Sequence, residues 1–149
     1  LGDFDRVITS TLPRACETAV AMGYAIDRSV DALGAIPDRV VEATGWPADI
    51  PDIARSAKAD REMLAFAETQ AGIWRDVIGD LAGSGGRVLL ISHGAIMELG
   101  FLAATGWGRV DQAGPVFGYC EGFRLTFDGT RFVSSEMARL PADRRLVAT

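Results

Sequence analysis

The sequence predicts an α/β sandwich with a mainly parallel sheet and an antiparallel edge. Three observations carry that expectation. Two short apolar runs, Arg6–Thr9 and Val88–Ile91, each lead within a few residues into helix-forming sequence. The stretch 59–82 keeps its apolar residues at helical spacing. Two β-rich runs, Gly122–Phe127 and 131–135, flank Asp128-Gly129, the strongest short hairpin signal in the chain. Strand–helix, strand–helix, then hairpin is the order of an α/β domain.

The first strand is the β-branched run Arg6-Val7-Ile8-Thr9. Ser10 and Thr11 are N-cap candidates for the helix that follows, and Pro13 suits its first turn, where a missing N–H costs nothing. That helix passes Cys16, Ala19 and Val20 and ends near Gly23 or Tyr24. Residues 26–41 read as short extended pieces around Pro37, and 43–58, with Trp46 and two prolines, reads as an irregular surface excursion. The helix over 59–82 keeps Met63, Phe66, Ala67, Ile73 or Trp74, Val77, Ile78 and Leu81 at helical spacing, as an inward face. Residues 83–86 (Gly-Ser-Gly-Gly) stop it. Val88-Leu89-Leu90-Ile91 is unbroken and apolar, as expected of a parallel strand covered on both faces. Ser92-His93-Gly94 forms the turn into an apolar helix over 95–104.

The 149 residues fit one domain, with 48% hydrophobic residues and a net charge of −5. An acidic balance without a Lys/Arg run argues against a nucleic-acid partner. The longest apolar stretches are split by Glu98 and fall short of the ~20 residues of a membrane helix, so no membrane partner is expected. Cys16 and Cys120 are too far apart in sequence for a zinc knuckle or a disulfide scaffold. Two buried thiols in a cytoplasmic protein are the simpler expectation. Of the 15 basic residues only Lys58 is lysine, which fits either codon bias or bidentate anion capture by arginine. Association into a homo-oligomer is left open.

Two attractive signals fail on context. The glycines of 83–86 follow a helix and precede a strand, the reverse of a phosphate-cradling loop. His93 has no Gly-x-Ser-x-Gly nucleophile to serve. Two segments remain, around Arg14 and around His93-Gly94. Each lies past the carboxyl end of a strand, at a helix N-terminus, where open α/β sheets bind ligands. Helix N-termini attract anions, Arg14 adds a guanidinium fork, and Gly94 admits close backbone approach. Arg14, His93 and Gly94 are therefore the candidate phosphate-binding residues, against the simpler reading of a surface arginine and a hydrogen-bonded turn histidine.

The segment Ser10-Thr11-Leu12-Pro13-Arg14-Ala15-Cys16-Glu17-Thr18-Ala19 resembles the Ser-Pro-Leu-x-Arg-Ala-x-Glu-Thr-Ala motif of the histidine phosphatase, or phosphoglycerate mutase-like, superfamily. Leu89-Leu90-Ile91-Ser92-His93-Gly94 resembles its second-histidine strand and turn, and 119–129 its closing strand and hairpin. The resemblance implies a three-layer α/β/α sandwich. It also implies a metal-independent phosphomonoesterase, without cofactor, acting on a small-molecule phosphate ester or phosphorylated substrate through a phosphohistidine. Arg14 and His93 are then catalytic residues around the phosphoryl oxygens. Residues 41–46 resemble the family's acid-bearing loop weakly and nominate Glu42 as proton donor, a solvated loop carboxylate being the other reading. The family's Arg-His-Gly motif, which carries the nucleophile, has no counterpart here, and His93 is the single histidine. With no initiator methionine, the expectation is an N-terminally incomplete domain whose nucleophilic strand precedes Leu1. The alternative is a pseudoenzyme that has lost the strand. A phosphoglycerate mutase-type phosphotransferase and a noncatalytic phospho-ligand binding module are the competing functions. The balanced charge of 43–58, Arg55 and Lys58 against Asp49 and Asp52, favours hydrolysis over transfer.

Overall fold

The computed structural model describes residues 2–81, 84–108, 110 and 113–147. Among them the strands form two sheets. β1 (Arg6–Thr9) is central to a parallel trio, with β2 (Arg28–Ser29) on one side and β3 (Val88–Ile91) on the other. Register sets Arg6 beside Val88 and Thr9 beside Ile91, so β1 and β3 end at the same level. β4 (Gly122–Phe127) and β5 (Phe132–Ala138) form a separate antiparallel pair. The hairpin is therefore not joined to the parallel strands as their antiparallel edge, as expected from sequence. Its turn is as expected: Asp128 Oδ1 accepts from Thr130 N and Arg131 N at 2.8 and 2.9 Å, and Gly129 adopts φ +100°.

Side chains of β1 alternate. Ile8 packs with Leu33, Ala71, Trp74 and Val77, whereas Thr9 Oγ1 lies 3.5 Å from Cys16 Sγ on α1 (Pro13–Ala21). Pro13 opens α1 as the sequence suggests, but the N-cap is Leu12, with no side-chain cap. The Ser10 and Thr11 hydroxyls are committed elsewhere, to His93 and Asp31.

Two helices replace expected irregular segments. α2 (Asp38–Thr44) runs from the end of the predicted extended pieces into the predicted excursion, and α3 (Ile50–Ala59) takes up most of the rest of that excursion. Ile50, Ile53, Ala54 and Ala57 hold a helical period and are buried; two of the four are alanines, a weak signal beside Pro47 and Pro51. α4 (Arg61–Ile78) is capped by Asp60, whose carboxylate accepts from Glu62 N and Met63 N. α5 (Ile96–Ala104) completes the main core, in which Val40, Ile53, Met63, Leu99, Phe101 and Phe117 meet. Gly83, first of the glycine run, lies outside the described residues.

Every residue of β3 is only half-buried, against the expectation of a strand covered on both faces. One edge of β3 pairs with β1; the other has no strand beside it among the described residues. Val88 and Leu90 of β3 and Phe123 and Leu125 of β4 nevertheless pack on one cluster containing Trp74 and Ala104. The thiols also differ from expectation: Cys16 is half-buried, Cys120 is exposed, and both are free. Among the described residues no helix is long and apolar enough to cross a membrane.

Candidate functional site

The common end of β1 and β3 places Ser10 beside Ser92-His93, and Ser10 N donates to Ile91 O at 3.0 Å. In the first turn of α1, Arg14 reaches back over the same edge. The result is a chain of three polar side chains. Arg14 Nε donates to His93 Nδ1 at 2.9 Å, and His93 Nε2 lies 2.6 Å from Ser10 Oγ. A guanidinium can only donate, so Nδ1 offers its lone pair, and the ring carries its proton on Nε2, towards Ser10. Burial, and then the Arg14 charge, push the His93 pKa down to about 4, so the imidazole is neutral at physiological pH.

Gly94 follows in the turn, and Trp46 explains why it is glycine. A Cβ there would come within 2.5 Å of the indole ring. Trp46 is held by its own N–H, which donates to Thr44 Oγ1 at 3.2 Å, while Thr44 Oγ1 donates to Val41 O at 2.6 Å. The C-terminus of α2 is thus drawn over the turn. Ala95, between Gly94 and α5, has φ +63° and ψ −47°, a strained conformation for a residue with a Cβ. α1 and α5 both begin beside this turn, and the positive ends of their dipoles favour an anion.

Arg14, His93 and Gly94 therefore lie together, as the sequence suggests. Glu42 does not join them directly. It is exposed on α2, its side chain with no hydrogen bond or ion pair among the described residues, and is linked to the turn only through Thr44 and Trp46. Sequence reasoning missed two partners. Ser10 was legible as a polar residue at a strand end, but as a helix cap rather than a histidine partner. Trp46 ends the segment that nominates Glu42 and is a candidate pocket aromatic, but its contact with Gly94 has no signal in the sequence.

One further carboxyl is notable. Glu98, in the first turn of α5, is fully buried; its Oε1 accepts from Phe117 N at 2.8 Å, while Oε2 has no protein partner. Burial pushes its pKa up to about 7 against the opposing Phe117 hydrogen bond. Its sequence signal is a lone acid in an otherwise apolar helix. Among the described residues no group of three or more His, Cys, Asp or Glu is placed to hold a metal ion. No protein-family model, curated protein or solved structure matches the chain.

Proposed function

We propose that the Arg14–His93 pair is the phosphoryl seat of a metal-independent phosphomonoesterase of the histidine phosphatase type, built as a three-layer α/β/α sandwich. The observation that carries this reading is an arginine with no carboxylate partner among the described residues. It is aimed at a neutral imidazole where two helix N-termini converge. A phosphoryl dianion would supply the missing negative charge, and cationic and N–H donors are what its equatorial oxygens need.

The phosphohistidine step needs a second imidazole. The free edge of β3 offers a place for it. An extended segment laid along that edge would cover Val88–Ile91, bridge towards β4 and end level with His93. The proposed nucleophile lies on such a strand, upstream of Leu1. Glu42, on the helix that draws Trp46 over Gly94, is the proposed acid for the leaving oxygen. The charge of 43–58 is balanced, Arg55 and Lys58 against Asp49 and Asp52, with Arg55 paired to Asp52 at 2.8 Å, and that balance favours hydrolysis over transfer. A noncatalytic phospho-ligand module is the second reading, favoured by the single imidazole of the chain.

Aryl phosphate hydrolysis tests the reading. The 149 residues alone should not turn over. The encoded polypeptide bearing an Arg-His-Gly strand upstream should, and Arg14→Ala should lower its kcat/KM by about 10²–10³-fold. Glu42→Gln should slow alkyl phosphates far more than nitrophenyl phosphates, because only an alkoxide needs its proton in the transition state. Robust turnover by the 149 residues, abolished by His93→Ala, would overturn the two-imidazole scheme.

A further inference from the structure

The two nitrogens of His93 face different environments. Nε2 points to Ser10, which is fully buried; Nδ1 points to Arg14, which is exposed. Ser10 has little freedom. Its N–H is tied to Ile91 O, its carbonyl accepts from Cys16 Sγ at 3.6 Å, and its Cβ lies 3.0 Å from where a Cβ on Gly34 would stand. Its hydroxyl also accepts from Leu12 N at 3.3 Å. A hydroxyl, unlike a guanidinium or an amide N–H, can both donate and accept.

We infer that Ser10 is a positioning residue that orients the His93 ring so that Nδ1 is the nitrogen offered to an anionic oxygen, and that Nδ1 gains a proton when the anion binds. The inference rests on the phosphoryl-seat reading. Without ligand, Arg14 Nε–H occupies Nδ1 and forces the proton onto Nε2, which donates to Ser10. An anion draws the Arg14 guanidinium onto its own oxygens and frees Nδ1. An unprotonated Nδ1 would then repel the anion, lone pair against lone pair. The neutral ring resolves this by losing the Nε2 proton to water and taking one at Nδ1. Ser10 Oγ turns from acceptor to donor towards Nε2, and the net proton count is unchanged. A residue able only to donate, or only to accept, at Nε2 would block the exchange. Ser10 thus couples the orientation of the ring to whether the seat is filled.

His93 is the single histidine, so one pair of imidazole nitrogen resonances reports on the whole process. In the ¹⁵N-histidine-labelled chain without ligand, Nδ1 should be pyridine-type and Nε2 pyrrole-type; the reverse assignment overturns the inference. Titration with inorganic phosphate should move Nδ1 to the protonated, pyrrole-type range. If phosphate shifts the Arg14 guanidinium resonances while Nδ1 stays pyridine-type, the inference falls and the phosphoryl seat stands. If neither responds, both fall. Ser10→Ala removes only the hydroxyl. It should leave the backbone spectrum intact, blunt the phosphate-driven protonation of Nδ1 and raise the phosphate Kd about tenfold, the loss of one hydrogen bond that orients the ring. Unchanged nitrogen shifts and Kd in Ser10→Ala also overturn it, and the wild-type titration decides even if that variant folds poorly.

Discussion

Arg139 and Arg145 converge on Glu121, and Arg14 converges on His93, yet the two clusters are built to opposite ends. The Glu121 side chain is 0% exposed, and its acceptor positions are filled. Oε1 takes Leu140 N and Arg145 Nε at 2.8 and 2.7 Å; Oε2 takes Gly118 N, Arg139 and Arg145 at 2.8, 3.0 and 3.0 Å. Burial pushes this carboxyl up, but the hydrogen bonds led by Arg145 outweigh it and hold the pKa at about 2. There the cations have their anion, and the cluster fastens the segment after β5 to residues 113–121. Around His93 the cation meets only a neutral base, and Arg14 is exposed. A saturated charge cluster binds the fold together, and one lacking its anion is free to take one from solution.

The largest effect should separate the two directly. Glu121→Ala strands two guanidinium groups at a buried site and should cost about 3–5 kcal/mol of stability in urea unfolding. Arg14→Ala should change stability by no more than about 0.5 kcal/mol, as an exposed side chain outside any core contact does. Equal losses would mean that Arg14 is structural.

An intermediate effect is expected where the open cluster meets its cover. Gly94→Ala drives a methyl into the Trp46 ring and should cost about 1–3 kcal/mol. The cost should shrink in a Trp46→Ala background, and a double-mutant cycle measures the difference. Strict additivity would show that Trp46 does not rest on Gly94 in solution.

The smallest effects are in pH dependence, and their signs differ. His93 is lowered from 6.5 to about 4 by folding, so its contribution is present above pH 6.5 and is lost as pH falls through 4. Glu98 is raised from 4.5 to about 7, so its contribution is present below pH 4.5 and is lost as pH rises through 7. Glu98→Gln keeps the acceptor for Phe117 N and should flatten the alkaline side of the stability profile alone. An unchanged alkaline slope would place the titration elsewhere.

The same contrast marks what was legible in the sequence. β1, α4 and the Asp128-Gly129 turn could be read because period, turn chemistry and burial agree locally; β3 could be read from its apolar run alone, its burial being less than that run suggests. α3 was obscured by two prolines and an apolar face half made of alanine. The separation of the hairpin from the parallel strands could not be read at all, since strand pairing depends on which edges meet in space. Arg14, His93 and Gly94 were legible because each sits just past a strand end, in the turn into a helix or in the helix's first turn. Ser10 as the partner of His93 was not, because 83 residues separate them and only the β1–β3 register brings them together. The Glu121 cluster escaped notice for the same reason, its arginines lying 18 and 24 residues away.

Thermal unfolding in increasing inorganic phosphate tests the central claim most directly. A ligand that binds only the folded chain stabilises it by about 2.7 kcal/mol at a hundred times its Kd. The wild-type midpoint should climb with phosphate at constant ionic strength, and that of Arg14→Ala should stay flat. An equal climb in both, or none in the wild type, would contradict the assignment of Arg14 and His93 as an anion seat.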